Sequence, residues 1–187
     1  MKNRLLKRIT ISFVALVLFL STPLCSWDVA LAASDGPDIQ GTSAMIYCAT
    51  TDEVIWQKNP DKKLNLASIT KLMTCLIAIE ELGLDKEVTV AAEAVQASWD
   101  GQSEPVGIPG EKLTVEELMY EAMLVSANDA ASSLAIALSG SEKEFAKLMN
   151  ERAEKIGCTD THFVNASGIE VENQYSTAED VIKIARE

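Results

Sequence analysis

The feature that most constrains this chain of 187 residues is an apolar helical segment that carries a serine and a lysine. The segment begins at Ser68 and ends before Gly83, and apolar residues occupy nearly every side of the helix that it predicts. Such a helix is buried in a core rather than lying on a surface, and glycine is a suitable residue to follow its end. Any fold for this chain therefore has to enclose this helix.

Ser68 and Lys71 are three positions apart and therefore lie on the same face of the predicted helix. Burial and the positive end of the helix dipole both disfavour a cation here, so we expect a neutral Lys71 amine. A neutral amine beside a hydroxyl is a general base beside a nucleophile. The spacing alone is weak, because a chain of this composition contains about one Ser-x-x-Lys by chance and lysines often reach out of apolar helices to solvent.

Residues 1–32 have the pattern of a secretory signal peptide. Four basic residues precede an apolar stretch over 9–20, and Ala30-Leu31-Ala32 has the small residues of a cleavage site. The apolar stretch is too short to span a bilayer well, which favours cleavage over a retained anchor. The sequence thus predicts an exported protein that acts outside the cytoplasm.

The part of the chain after residue 32 is strongly acidic. It holds 12 basic and 27 acidic residues, a net charge of −15. This charge argues against nucleic acid or an anionic membrane surface as a partner. Its three cysteines, Cys48, Cys75 and Cys158, are widely spaced and predict neither a disulfide framework nor a metal site, and we expect no cofactor.

The rest of the chain divides into short elements by its turn residues and helix-capping signals. Alternating β-rich stretches predict an antiparallel hairpin, and clusters of glycine and proline predict loops. Ser, Thr and acidic residues ahead of apolar runs predict helix starts. The predicted elements are a hairpin over 43–58, an extended piece at 88–90, a loop over 97–111, helices from Thr114, Ser141 and Thr177, and a loop over 161–173.

A second cluster of polar residues, Ser126-Ala127-Asn128-Asp129, lies between two apolar helices. Such residues commonly cap helices, so one interpretation is that they end one helix and cap the next. In a functional interpretation, the Ser126 hydroxyl and the Asn128 amide point into one cleft. There the hydroxyl would move a proton and the amide would bind both a lysine and a substrate amide.

Together these motifs resemble those of the low-molecular-mass penicillin-binding proteins, the serine D-alanyl-D-alanine carboxypeptidases. The resemblance rests on two runs in order, ASITKLMT at 67–74 and LVSANDAA at 124–131. Similar residue types continue outside the motifs, from the hairpin through the segment at 161–178. The resemblance covers nearly all of 40–187.

The resemblance implies a mechanism and assigns a role to each of four residues. Ser68 would attack the penultimate D-alanine of a peptidoglycan stem pentapeptide, Lys71 would accept its proton, and Ser126 would relay a proton to the leaving amine. Asn128 would hold Lys71 and the substrate amide. The Ser68 N–H at the helix start would donate to the oxyanion, and β-lactams would acylate the same serine.

The resemblance also implies the fold and its organisation. We expect the α/β (α+β) fold of serine β-lactamases and penicillin-binding proteins, an antiparallel sheet with flanking helices. A helical subdomain is expected at roughly 90–180, within a catalytic domain over 33–187. The cell wall and the outer face of the cytoplasmic membrane are the expected location.

One departure from the family pattern is the absence of its third motif, because the chain contains no Lys-Thr-Gly or Lys-Ser-Gly. In the family this motif lies on a core strand and binds the substrate carboxylate. One hairpin is also too little sheet to cover a buried helix. We therefore expect an N-terminal part of a longer protein, without the remaining strands, inactive or poorly folded by itself. A C-terminal membrane-attachment helix would also lie beyond it.

Two alternatives and several tempting residues remain open. Glu170 and Asn173 faintly resemble the deacylating loop of class A β-lactamases, although their spacing is one residue short and Ser126-Ala127-Asn128 lacks the central aspartate of that class. A non-catalytic cell-wall binding or sensor protein is the second alternative. His162 is the only histidine and is interpreted as structural. Trp56 and Trp99 could line a cleft, although Trp56 is better explained as a core residue.

Overall fold

The computed structural model describes residues 36–100 and 104–187, so the predicted signal peptide at 1–32 lies outside the described residues. Residues 39–187 form one unit with its own core. In the part that is described, no helix has both the length and the apolar character needed to cross a membrane.

The predicted hairpin is present. Strand β1, Ala44–Cys48, pairs antiparallel with β2, Glu53–Lys58, and the register places Cys48 opposite Glu53. A register shift between Ile46 and Tyr47 marks a bulge. The expected hairpin at 43–58 is therefore confirmed.

The serine-bearing segment begins as a tighter helix than predicted. Residues Ala67–Thr70 form a 3₁₀-helix, and helix α1, Lys71–Glu81, continues from it. The prediction of one α-helix from Ser68 is therefore wrong by one turn. The difference matters because side chains three apart eclipse each other on a 3₁₀-helix, which brings the Ser68 and Lys71 side chains together.

Within the described residues, five further helices and a second small sheet follow α1. Strands β3 and β4 pair antiparallel, with Val88 opposite Leu113. The elements are β3, Glu87–Thr89; α2, Ala92–Asp100; β4, Lys112–Thr114; α3, Val115–Leu124; α4, Asn128–Ser139; α5, Glu142–Ile156; and α6, Ala178–Arg186.

The predicted loop over 97–111 begins too early, because α2 runs to Asp100. Alanines at 92, 94 and 97 favour a helix there more strongly than the following glycines and prolines oppose it. The extended piece predicted at 88–90 is β3, but its partner β4 was not predicted. Three-residue strands are too short to show a periodic pattern.

Side-chain caps fix the starts of three helices as predicted. Thr114 and Glu117 form a reciprocal capping box, in which the Glu117 N–H donates to Thr114 Oγ1 (3.2 Å) and the Thr114 N–H donates to Glu117 Oε2 (2.8 Å). Ser141 Oγ accepts from the Glu144 N–H at 3.2 Å. Thr177 caps α6 in the same way.

The buried face of α1 packs against other helices. Met73, Ile77 and Ala78 are fully buried, and α1 contacts α3, α4, α5 and α6. These helices cover only part of α1, because Ile79 on the same helix is 45% exposed. The expectation that a sheet is needed to complete its burial stays a prediction. Helix α4 can approach α1 closely because small residues such as Ala130, Ala131 and Ala135 form its buried face.

Candidate active site

Ser68 lies on a strained turn at the surface of the core. The residue before it, Ala67, has a left-handed φ of +46°, which is costly for a residue with a Cβ and is typical of functional sites. Asn65 Oδ1 accepts from the Ala67 N–H at 3.0 Å and holds the turn. The Ser68 side chain is exposed, and its N–H lies in the first turn, where the helix provides no acceptor.

Lys71 is buried directly behind Ser68 and is 1% exposed. Its ammonium nitrogen, Nζ, donates two short hydrogen bonds of 2.7 Å, to Asn128 Oδ1 and to the Ser167 carbonyl oxygen. Two longer contacts join Nζ to Ser68 Oγ (3.3 Å) and to Ser126 Oγ (3.5 Å). The four residues predicted from the two motifs are thus brought together around one nitrogen.

Burial lowers the pKa of the Lys71 amine from 10.5 to about 8. Roughly a tenth of the amine is then neutral at pH 7, rather than less than a thousandth. A neutral amine has two N–H groups and one lone pair. Because the two short bonds to Asn128 and Ser167 use both N–H groups, the lone pair is left for the Ser68 hydroxyl.

Ser126 completes a chain of hydroxyls that ends at Lys71. Its φ of +62° is again left-handed, and its Oγ donates to Ser68 Oγ at 2.7 Å. The geometry therefore permits a proton path from Ser126 through Ser68 to the Lys71 amine. A serine nucleophile with an amine base would require an arrangement of this kind.

The family follows from comparison with known proteins. Residues 30–187 match the profile of the peptidase S11 family, described as D-alanyl-D-alanine carboxypeptidase. The chain belongs to this family. The resemblance noted in the two motifs is thereby confirmed.

Named relatives and solved structures agree with this assignment. The D-alanyl-D-alanine carboxypeptidase DacF of Bacillus subtilis is 36% identical over 79% of this chain, and the D-alanyl-D-alanine endopeptidase of Escherichia coli is 34% identical over 93%. The matches cover 39% and 57% of those relatives, so this chain spans about half of their length or less.

Solved structures of the same kind share the fold. Penicillin binding protein 6B from Escherichia coli superposes with a TM-score of 0.74 at 29% identity, over 80% of this chain and 50% of that one. A D-alanyl-D-alanine carboxypeptidase from Mycobacterium tuberculosis gives 0.73 at 29% identity, over 80% and 56%. The predicted penicillin-binding-protein fold class is confirmed.

In this peptidase S11 chain, the cap predicted for 126–129 is not formed. The N-cap position of α4 is Ala127, which makes no side-chain cap. Ser126 and Asn128 face the Lys71 amine instead. Asp129 is fully buried, and its Oδ2 accepts from the N–H groups of Val106 (3.0 Å) and Gly107 (2.7 Å). The cluster therefore joins the start of α4 to the site and to the preceding loop.

The sequence interpretation missed one part of this S11 site, the backbone of 166–168. Besides the bond from Lys71 to Ser167, Thr74 Oγ1 donates to the Ala166 carbonyl at 2.7 Å. Backbone acceptors have no signature in side-chain motifs, and Lys71 and Ser167 are 96 positions apart. The sequence does indicate a turn at this place, because Asn165 and Gly168 are residue types that favour turns.

None of the other tempting residues hydrogen-bonds to Ser68, Lys71 or Ser126 in the part of the chain that the structure describes. His162 Nδ1 is 2.7 Å from the Asn173 carbonyl oxygen, and the His162 ring lies beside Tyr175, which agrees with a structural role. Glu170 and Asn173 are exposed, and neither side chain hydrogen-bonds to Ser68 or Lys71 within the described ranges.

Among the described residues, neither the two tryptophans, Trp56 and Trp99, nor the three cysteines hydrogen-bond to Ser68, Lys71 or Ser126. Trp99 is 56% exposed, and Trp56 is only half-buried in β2 rather than lying in the core. Cys75 is a core residue, and burial raises the pKa of its thiol to about 11. Across 36–100 and 104–187, no three His, Cys, Asp or Glu side chains are grouped as a metal site requires.

Proposed function

We propose that this protein is a serine-type D-alanyl-D-alanine carboxypeptidase that removes the terminal D-alanine from peptidoglycan stem pentapeptides. The observation that carries the proposal is the Lys71 amine, held by two short hydrogen bonds with its remaining face toward Ser68. Membership of the S11 family and the names of the relatives support the same reaction.

In the proposed acylation step, Ser68 Oγ attacks the carbonyl carbon of the penultimate D-alanine. The Ser68 proton passes to the neutral Lys71 amine, and Ser126 delivers a proton to the nitrogen of the departing D-alanine. The C–N bond breaks as the C–O ester bond to Ser68 is retained. The ammonium of Lys71 then returns a proton to Ser126.

In the proposed deacylation step, water attacks the carbonyl carbon of the Ser68 ester and gives a proton to the Lys71 amine. The C–O bond to Ser68 breaks, Ser68 Oγ takes the proton back from Lys71, and the shortened peptide leaves as a carboxylate after releasing its second proton to solvent. The Ser68 N–H is one proposed donor to the oxyanion of both steps, because it is free in the first turn of the 3₁₀-helix. Asn128 positions Lys71 through its Oδ1 atom, and its amide N–H₂ would bind the substrate backbone. No metal or cofactor is needed for these steps.

The same site would react with β-lactams, which would acylate Ser68 and leave slowly. The signal-peptide pattern at 1–32 supports export, with action on the cell wall at the outer face of the cytoplasmic membrane. Residues 33–187 would belong to the catalytic domain, with the helices between 90 and 180 as a helical subdomain. A role in cell-wall organisation and cell shape would follow.

The alternatives differ in their products. A β-lactamase would hydrolyse a penicillin rapidly, but the exposed Glu170 makes no bond to Ser68 or Lys71 within the described ranges. A non-catalytic wall-binding protein would bind the stem peptide without cleaving it. An endopeptidase, as one relative is named, would cleave a cross-link without releasing free D-alanine from a pentapeptide.

The test is release of free D-alanine from a stem pentapeptide by the protein made from its own gene, with Lys71→Arg as the matched variant. Arginine keeps the positive charge but cannot act as a base near neutral pH. We expect D-alanine from the wild type and at least a hundredfold less from Lys71→Arg. Peptide binding without D-alanine release would contradict the proposal.

A further inference from the structure

The turn at Asn165–Ile169 contacts the site through its backbone at three consecutive residues. The Ala166 carbonyl accepts from Thr74, and the Ser167 carbonyl accepts from the Lys71 amine, each at 2.7 Å. The next residue, Gly168, lies against the Ala67–Ser68 peptide. The turn thus contacts both the segment that carries the nucleophile and the base.

The contact between Gly168 and the Ala67–Ser68 peptide leaves no room for a side chain. A Cβ at position 168 would overlap the Ala67 carbonyl oxygen and would lie 3.1 Å from the Ser68 nitrogen. This carbonyl and the Ser68 N–H are the two ends of one planar peptide. Anything that displaces the carbonyl therefore also tilts the N–H that is proposed to bind the oxyanion.

The turn is fixed by bonds that do not involve the site. Asn165 Oδ1 accepts from the Gly168 N–H at 2.7 Å, and Asn165 Nδ2 donates to the Ile169 carbonyl at 2.8 Å. The buried Gln174 accepts from the N–H groups of Val164 and Asn165 with its Oε1, each at 3.0 Å. A turn held in this way can act as a rigid support for a neighbouring peptide.

We propose that Gly168 is a positioning residue of this site. By lacking a side chain, it allows the turn to support the left-handed Ala67, which directs the Ser68 N–H and hydroxyl at the carbonyl under attack. The inference deepens the proposed carboxypeptidase function and rests on it. A side chain at position 168 should therefore slow the acylation of Ser68 and hardly change the affinity of the noncovalent complex that forms first.

Gly157 provides a matched control for the backbone conformation of Gly168. The two glycines have nearly the same φ, +89° and +90°, so alanine would have to adopt a similarly unfavourable left-handed φ at either position. A Cβ at Gly157, however, meets nothing within 4 Å. Comparing Gly168→Ala with Gly157→Ala therefore isolates the contact with the Ala67–Ser68 peptide.

The experiment measures two constants for a fluorescent penicillin by stopped flow, the dissociation constant of the noncovalent complex and the acylation rate constant. We expect Gly168→Ala to lower the rate constant about a hundredfold, with a change in the dissociation constant of about threefold or less. Gly157→Ala should leave both constants within about threefold of wild type. Equal rate constants for the two variants would overturn the proposal.

If the wild type is not acylated at all, the proposed function fails, and NMR decides the inference separately. The Ser68 amide resonance should then shift in Gly168→Ala and stay in place in Gly157→Ala. A Ser68 amide that is unmoved by both substitutions would overturn the positioning role.

A second pair serves if Gly168→Ala does not fold. Asn165→Ala removes the bonds that hold the turn, whereas Asn150→Ala removes bonds of similar length to the backbone of Phe163 and Ala146. We expect Asn165→Ala to lower the acylation rate constant about tenfold more than Asn150→Ala does. If the wild type is not acylated, the Ser68 amide resonance should shift more in the Asn165 variant than in the Asn150 variant. Equal effects of the two asparagine substitutions would overturn the proposal.

Discussion

Ser126 Oγ donates a 2.7 Å hydrogen bond to Ser68 Oγ, although 58 positions separate the two residues in the sequence. Because this hydroxyl is the proposed proton donor to the leaving amine, Ser126→Ala should lower the rate of acylation by about a hundredfold. Its effect on the free energy of unfolding should be small, because the Ser126 side chain is only half-buried.

Ser141→Ala is the matched control for the Ser126 variant. Ser141 caps α5 by accepting from the Glu144 N–H at 3.2 Å, so its loss should cost about 1 kcal/mol of stability without slowing acylation. Stopped-flow acylation and urea unfolding of both variants test whether Ser126→Ala loses mainly acylation rate and Ser141→Ala loses mainly stability. A Ser126 variant that acylates at the wild-type rate would contradict the proton relay.

The rate of acylation should depend on the protonation of Lys71. Burial lowers the pKa of this amine to about 8, and only the neutral amine can accept the Ser68 proton. The acylation rate should therefore rise with pH to a plateau, with a midpoint near pH 8. A pH–rate profile between pH 6 and 10 distinguishes this midpoint from that of an unshifted lysine, whose ordinary pKa is 10.5. A flat profile would show that Lys71 is not the base.

Burial of Lys71 should also affect the dependence of stability on pH. The unfolded chain retains the lysine proton up to about pH 10.5, whereas the folded protein loses it near pH 8. Between these two pH values the unfolded state binds more protons, so stability rises with pH, and the gain is absent below pH 8. The full difference corresponds to roughly 3 kcal/mol.

Lys71→Met removes this titration and leaves the other ionisable groups in place. The wild-type free energy of unfolding minus that of Lys71→Met should therefore increase by roughly 3 kcal/mol from neutral to strongly basic pH. Urea unfolding of both proteins at each pH gives this difference. A difference that is constant with pH would show that the folded lysine has an ordinary pKa.

Glu121 should destabilise the protein at neutral pH. Burial, and then the charge of the buried Asp129, raise the pKa of the Glu121 carboxyl, and its Oε2 has no hydrogen-bond partner within the described residues. The folded state then holds the proton more strongly than the unfolded state, so stability falls as pH rises through this window. Glu121→Gln should raise the unfolding midpoint at pH 7 more than at acidic pH. An equal effect at both pH values would exclude the titration of Glu121 as the cause.

The local parts of this structure could be predicted from local sequence. The hairpin at 43–58 and the caps at Thr114 and Ser141 follow from alternation and from side chains that satisfy nearby N–H groups. The structure brings the four predicted site residues together, although each spacing alone was weak and their roles came from the family resemblance. Ser68 and Lys71 need to share one face of a helix, and Ser126 and Asn128 need a short connection.

The parts that could not be predicted depend on contacts between distant segments. The strand pairing of Val88 with Leu113 joins two pieces too short to show a pattern. The cap predicted from Ser126 to Asp129 was wrong because tertiary acceptors and donors, including Lys71, compete for the same side chains. The Ser167 carbonyl was missed because every residue has a backbone carbonyl, so no side-chain motif marks the one that binds Lys71.

The central claim is that Ser68 is a nucleophile activated by Lys71, and the most direct measurement is the site of covalent labelling by a penicillin. The protein made from its own gene is incubated with benzylpenicillin, digested with trypsin and analysed by mass spectrometry, beside Ser68→Ala. Cleavage after Lys63 and Lys71 isolates Ser68 in the peptide 64–71. We predict one penicilloyl group on this peptide in the wild type and none in Ser68→Ala. An unlabelled wild-type peptide, or a label that persists in Ser68→Ala, would contradict the account.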